Sequence, residues 1–268
     1  MKRQPAVAGQ FYPGNSAQLR GDLATMMPES HCSHNRVTGI IAPHAGYIYS
    51  GGIAGKVYAS IDIPATVLIL GPNHRGIGPA VALYPAGEWL TPLGSTPINT
   101  QLNSLLNHYV PFIQEDFLAH EFEHSLEVQV PFIQYLRPDV SISALCLGHG
   151  DYFAIKQIGK GIAVALREYG GEVLIVASSD MTHYESAASA RRKDGLALDK
   201  VLNLNPEGLL QVCSSEHITM CGVIPAAIML VAAKELGVIQ AELVAYGTSG
   251  DVTGDDQQVV GYAALAVR

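Results

Sequence analysis

Histidine, aspartate and cysteine recur beside Gly, Pro and Ser in this chain, where a fixed backbone would hold a reactive side chain. His44 sits in Pro43-His44-Ala45-Gly46-Tyr47, and His74 sits in Gly71-Pro72-Asn73-His74-Arg75-Gly76. Two imidazoles in matched loops suit metal ligation or proton transfer, whereas a lone His in such a loop is ordinarily a structural hydrogen-bonding group. Asp180 and His183, within Ser178-Ser179-Asp180-Met181-Thr182-His183, stand three residues apart. One helical turn would present both to the same cleft, as a ligand plus a general base. The plainer alternative has Asp180 capping a following helix. Cys221, followed by Gly222 and Pro225, marks an expected helix N-terminus. There a thiolate is favoured, as metal ligand or nucleophile, while a buried Cys acting as a small apolar residue is the ordinary case. Glu123-His124-Ser125 precedes a helical stretch and would extend the site through His124, with Glu127 close by. Alternatively, Ser125 caps that helix and Glu127 favours its first turn.

These residues gain meaning from the elements before them. Short apolar runs at Val37–Ala42, Thr66–Leu70, Ser141–Leu147, Glu172–Ala177, Leu243–Tyr246 and Val259–Val267 read as strands covered on both faces. Helical patterns occupy Ser16–Met26, Gly52–Ser60, Thr100–Tyr109, Ser125–Leu136, Tyr152–Tyr169, Ala187–Leu202, Pro206–Cys213 and Gly222–Leu236. This alternation predicts an α/β fold, a single domain over 1–268 with a largely parallel central sheet flanked by helices. The Pro- and Gly-rich stretch Tyr84–Pro97 reads as an excursion or short hairpin. Four of the strands run straight into His44, His74, His149, and Asp180 with His183. Parallel sheets bind ligands at the carboxyl ends of their strands, so four imidazoles and a carboxylate would meet at one edge.

The rest of the sequence narrows the alternatives. With 16 Lys and Arg against 24 Asp and Glu, the net charge is −8, which disfavours a nucleic-acid or anionic-membrane surface. Charged residues make up only 15% of the 268, against 48% hydrophobic, which excludes a disordered or coiled-coil chain. Cys32, Cys146, Cys213 and Cys221 form no Cys-x-x-Cys pair, as expected in a reducing compartment. The start of the chain shows no apolar signal region and no stretch reaches ~20 apolar residues, so a cytoplasmic location without membrane contact is expected. No phosphate-cradling Gly-rich loop, nucleophile elbow or His-Glu-x-x-His pattern is present. His31, His34, His108, His120 and His217 read as surface residues, Cys32 as an improbable chelator, and the cluster Asp251, Asp255, Asp256 as a solvated loop.

Taken together, Ala42-Pro43-His44-Ala45-Gly46-Tyr47, Gly71-Pro72-Asn73-His74, Glu123-His124-Ser125, Ser178-Ser179-Asp180-x-x-His183 and Cys221-Gly222 closely resemble the Memo family. Its animal members mediate ErbB-driven cell motility, and its bacterial members are called AmmeMemoRadiSam system protein B. The resemblance covers essentially the whole chain, from Ala8-Gly9-x-Phe11-Tyr12 onward, and implies a fold similar to class III extradiol dioxygenases. Those enzymes hold non-haem Fe(II) with two His and one Glu. The resemblance implies that His44, His74 and Cys221 form the metal site, with Cys in the place of Glu. It sets Asp180 and His183 beside that site, His183 matching the dioxygenases' acid/base His. Thiolate ligation shifts preference toward copper or zinc while still admitting Fe(II). Phe11 matches a position where animal Memo proteins carry Trp on a peptide-binding surface, and Tyr47 is expected to join it. The implied function is a metal-binding redox protein acting on a small molecule; a non-catalytic peptide or small-ligand module is the alternative. A functional link to AMMECR-type and radical-SAM proteins is also implied.

Overall fold

Val, Ile and Leu fill both faces of the central strands because helices cover both sides. The computed structural model describes residues 1–27 and 36–268, so His31, Cys32 and His34 lie outside the described residues. The strands are β1 (Lys2–Arg3), β2 (Gly39–Ala42), β3 (Thr66–Pro72), β4 (Val81–Leu83), β5 (Glu88–Thr91) and β6 (Gly94–Pro97). They continue as β7 (Gln114–Glu115), β8 (Ser141–Leu147), β9 (Val173–Ser178), β10 (His183–Glu185), β11 (Ala241–Thr248) and β12 (Val259–Val267). The helices are α1 (Ser16–Met26), α2 (Tyr47–Ala59), α3 (Thr100–Tyr109), α4 (Leu118–Glu121) and α5 (Val130–Leu136). After them come α6 (Tyr152–Tyr169), α7 (Ala187–Leu202), α8 (Pro206–Ser215), α9 (Val223–Glu235) and α10 (Gly250–Thr253).

Strands β2, β9, β3 and β8 lie side by side in that order, all parallel. Antiparallel strands flank this block: β12 beside β2, and β4 beside β8. β10 and β11 both pair with β12, and β7 extends the sheet beyond β4. The sheet is therefore mixed, with a parallel centre. Register levels the strand ends, since Ala42 pairs with Ser178, Leu70 with Ala177, and Pro72 with Leu147. Loops leaving β2, β9, β3 and β8 consequently open on one edge.

Alternate residues of each strand enter different layers. Leu68 and Leu70 pack with α6, α8 and α9, while Val67 and Ile69 pack with α1, α2 and α5. The α9 segment is apolar on all sides because it is buried all round. Side chains of Asn15, Asn99, Asp151, Ser186 and Asn205 accept amides at helix starts, which fixes where α1, α3, α6, α7 and α8 begin. Most boundaries that differ from the sequence expectation do so by one or two residues, as at β2, β9, β11, α8 and α9, and two helices differ by more. α2 begins at Tyr47, five residues early, so Gly46 is its N-cap and His44 lies just outside it. The expected helix Ser125–Leu136 is a 3-10 turn, Glu127–Gln129, followed by α5 with Pro131 in its first turn. A Pro there has no N–H to continue an upstream helix, so the α-helical ladder starts late. Tyr84–Pro97 contains the hairpin β5–β6, to which β1 adds a parallel third strand. Among the described residues, no helix is long and apolar enough to cross a membrane.

Candidate metal centre

The carboxyl edge brings together His44 after β2, Asp180 after β9 and His74 after β3, with Cys221 arriving just before α9. Ligand atoms of His44, His74 and Cys221 all lie within 4.8 Å of one another. Two glycines permit this approach. A Cβ at Gly222 would collide with Ser178 O and Ser179, and one at Gly71 would collide with Leu126 and Ser125.

Hydrogen bonding sets which ring nitrogen of each imidazole is bare. Ser178 Oγ donates its one proton to Ser125 O at 2.6 Å, so it can only accept from His44 Nδ1 at 2.9 Å. Gln129 Nε2 donates to the same hydroxyl at 2.8 Å. His44 Nε2 therefore carries the lone pair, and it faces Cys221 Sγ at 3.1 Å. At His74, the Glu123 carboxylate takes the backbone N–H at 2.7 Å and Nδ1–H at 2.9 Å, again leaving Nε2 bare. His183 Nδ1 donates to Thr219 O at 3.0 Å, while its backbone N–H donates to Thr219 Oγ1. All three rings thus donate from Nδ1 and turn Nε2 away from that partner.

Charge follows the same plan. Burial, and then the neighbouring His124, His74 and His183, hold His44 well below the ordinary histidine pKa, so its ring is neutral. Burial and the nearby Asp180 push the Cys221 thiol up, so it is protonated, with His44 Nε2 at 3.1 Å and Asp180 O at 3.7 Å as the acceptors in reach of its hydrogen. Burial raises Asp180 to about 6, although the His44 and Ala45 amides donate to Oδ1 and favour its charged form. Its own N–H donates to Cys221 Sγ at 3.3 Å, which ties the loop after β9 to the α8–α9 connection. Asp180 caps no helix: α7 starts seven residues later, with Ser186 as its N-cap. Burial also pulls upward on Glu123, but the His74 and Ser125 N–H groups outweigh it and bring it down to about 2. His124 stacks on His74 with ring centroids 4.7 Å apart, and burial lowers it to about 4. Glu123 lies beside His124 as well, and these two with His74 make a second ligand-rich group.

Other anticipated residues fall at varied distances. Phe11 is part-exposed, with its ring 4.8 Å from His124, so it forms a wall of the cluster. Tyr47 lies beneath the site, 4% exposed, with its hydroxyl donated to Val128 O. His149 is exposed, one strand outward from His74. Cys146 and Cys213 are buried apolar fillers far from this chemistry in role. His108 and His217 are exposed, as expected.

His120 is a correction: it is fully buried against Trp89 and Tyr84, with Nε2 bonded to Ala82 O. Its neighbourhood also holds Arg3, which spacing did not reveal. Arg3, 5% exposed, pairs with Glu127 at 2.7 Å and donates to His120 O and Glu123 O. Glu127 also accepts from Ala6 N, Val7 N and Tyr12 Oη, so an N-terminal arm braces the segment that carries Glu123 and His124. One signal was present: Glu127 and Gln129 interrupt the apolar run Leu126–Ile133, and polar residues on a buried face need partners.

Comparison with known proteins decides the family. The pattern described as Memo-like protein matches residues 3–266. The chain belongs to the Memo family. A MEMO1 family protein of Methanopyrus kandleri, MK0963, is 39% identical over 100% of this chain and 99% of its own. MEMO1 family proteins of Methanococcoides burtonii and Aquifex aeolicus are each 40% identical over at least 98% of both chains. The Memo fold also resembles that of a solved structure, the uncharacterized protein JW3007 of Escherichia coli K12. That likeness has a TM-score of 0.51 at 13% identity, covering 86% of this chain and 99% of the other.

Proposed function

We propose that this protein is a metal-binding redox protein in which His44, His74 and Cys221 hold one iron or copper ion, with zinc as a third candidate. The observation that carries this reading is the pair of bare Nε2 atoms, fixed by Ser178 and Glu123, gathered with a thiol within 4.8 Å. Carboxylate- and hydroxyl-braced imidazoles are the usual outer support of a metal site. A two-His, one-Cys donor set suits these metals, which would supply electron transfer or activation of a bound small molecule.

The chain's own residues do the remaining work. Cys221 must lose its proton on ligation, and Asp180, with a pKa raised to about 6, lies beside it with its N–H on the sulfur. His183, held by Nδ1 on Thr219 O, stands at the rim and moves protons to or from the ligand through Nε2. His124 and Phe11 wall the cleft. Elemental analysis of protein purified without chelator or affinity metal tests this reading, with the His44→Ala/His74→Ala double variant as control. Near-stoichiometric iron or copper, absent from the variant, is expected. Metal-free protein that also fails to take up Fe(II) or Cu(I) would overturn it.

The Phe11 ring against His124 favours a second reading, a peptide or small-ligand module using the same cleft. A Phe11→Ala variant that keeps its metal and loses ligand binding would support it.

A further inference from the structure

The carboxyl edge holds another cavity, of about 130 Å³, that the metal reading does not use. Its walls include Val81, Leu147, Ile155, Ile158, Ile224 and Ile228. Leu147 ends β8 opposite Pro72, two residues before His74, and Ile224 stands three residues past Cys221. The cavity therefore lies on the same edge as the cluster, one strand outward. His149 is the one ionisable residue in its lining, in the Gly148-His149-Gly150 loop.

Size and lining point to one class of occupant. A cavity of roughly 150 Å³ lined by Leu, Ile and Phe stays dry and admits benzene. The present hollow is close to that volume and similarly apolar, and it opens to solvent beside Phe112, His149 and Gly150. Phe112 supplies an independent observation. It also lines the cavity, 59% exposed, with φ +67°, a left-handed conformation that a bulky residue seldom adopts. Gly would sit there without strain, after Pro111 in a tight turn. An aromatic ring kept in a Gly conformation over an apolar hollow is the kind of local strain found where ligands are clamped.

We propose that this cavity binds a single apolar ring, or a branched alkyl group of that size, carrying at most one polar substituent. Val81, Leu147 and the four isoleucines take the apolar body, Phe112 covers it, and His149 meets the polar substituent. The proposal stands apart from metal binding and is tested without metal.

The full-length protein, labelled at isoleucine δ1 methyls, is titrated with benzene and with phenol. Saturable shifts are expected at Ile155, Ile158, Ile224 and Ile228, while Ile40 and Ile69, in the opposite layer, stay still. Ile224→Trp, which fills the hollow, should weaken binding at least tenfold; Ala154→Leu provides the same block if that variant does not fold. His149→Ala should weaken phenol at least threefold while leaving benzene unchanged. Absence of saturable shifts, shifts spread over both layers, or full binding in the filled variants would overturn the site. Shifts that grow with protein concentration alone would also overturn it, since they would mean that a second copy covers the cavity. An unchanged phenol-to-benzene ratio in His149→Ala would overturn the polar contact.

Discussion

The two edges of the parallel strands treat charge in opposite ways. At the carboxyl edge, the imidazoles of His44, His74 and His183 keep a bare nitrogen, and buried Glu123 and Asp180 are held by backbone amides. At the amino edge lies a far larger groove, about 880 Å³, lined by Arg36, Arg137, Arg167, Arg268, Asp139 and Glu172 among others. Helices α5, α6 and α9 end there, where unpaired carbonyls and the negative pole of the helix dipole gather. Arg167 donates to Glu235 O at the end of α9, Arg137 donates to Ile63 O, and Arg36 pairs with Glu172. Arg167 completes the end of α9, Arg137 a loop carbonyl before β3, and Arg36 a carboxylate just before β9. Volume thus ranks the edges one way and chemical capacity the other. What marks the carboxyl edge is imidazole nitrogens whose lone pairs point into a shared site.

The sharpest break in that contrast is expected at Arg3→Met, which leaves Glu127 as an uncompensated buried charge behind the site. A loss of about 3–5 kcal/mol in unfolding free energy is expected, much of it recovered in Arg3→Met/Glu127→Gln. Denaturant titration checks this, and a loss below ~1 kcal/mol would remove the brace from the account. Next comes Glu123→Gln, which weakens the hold on His74 Nδ1. Metal affinity, read by competition with a chelator, should fall about 10–100-fold, while Arg36→Ala on the other edge leaves it unchanged. Equal losses in both variants would erase the distinction between edges.

A smaller effect concerns acid. Burial, and then Arg3, bring His120 down to about 3, so the folded protein cannot protonate it between pH 6.5 and 3 while the unfolded chain does. Stability is therefore lost as pH falls through that window, by roughly 2 kcal/mol at pH 5. The melting temperature of His120→Phe should vary less between pH 7 and 5 than that of the parent. The smallest change is expected at Arg36→Ala: its pair with Glu172 is solvent-exposed on both sides, so unfolding free energy should move by no more than ~0.5 kcal/mol. A larger loss would mean that the amino-edge cations do more than finish helix ends.

Local signals served well where a residue's role is set by its chain neighbours. The bounds of α1, α3, α6 and α7 agree with the helical patterns, because Asn15, Asn99, Asp151 and Ser186 cap them within three residues. β8 and β12 were equally legible as unbroken apolar runs. His44, His74 and Cys221 stood out because Pro and Gly punctuate strand ends. Arg3 did not, since a two-residue strand carries no period and its partners lie about 120 residues away. Ser178 read as part of a motif, but its use as the acceptor for His44 depends on Ser125 and Gln129 arriving from another element. His120 looked exposed because nothing near it in sequence announces Trp89 and Tyr84 as its cover.

Strand order carries one more consequence, in time. The site's residues run from Phe11 to Cys221, and β12, made after all of them, closes against β2, made before most of them. At roughly 5–20 residues per second, synthesis separates Phe11 from Cys221 by about ten to forty seconds. During that interval His44 and His74 have no sulfur partner, and β2 waits for its antiparallel neighbour. A nascent chain of this protein therefore brings His44, His74 and Cys221 together only after residue 221 has left the ribosome, so the cluster is assembled late in synthesis although two of its three residues are made early.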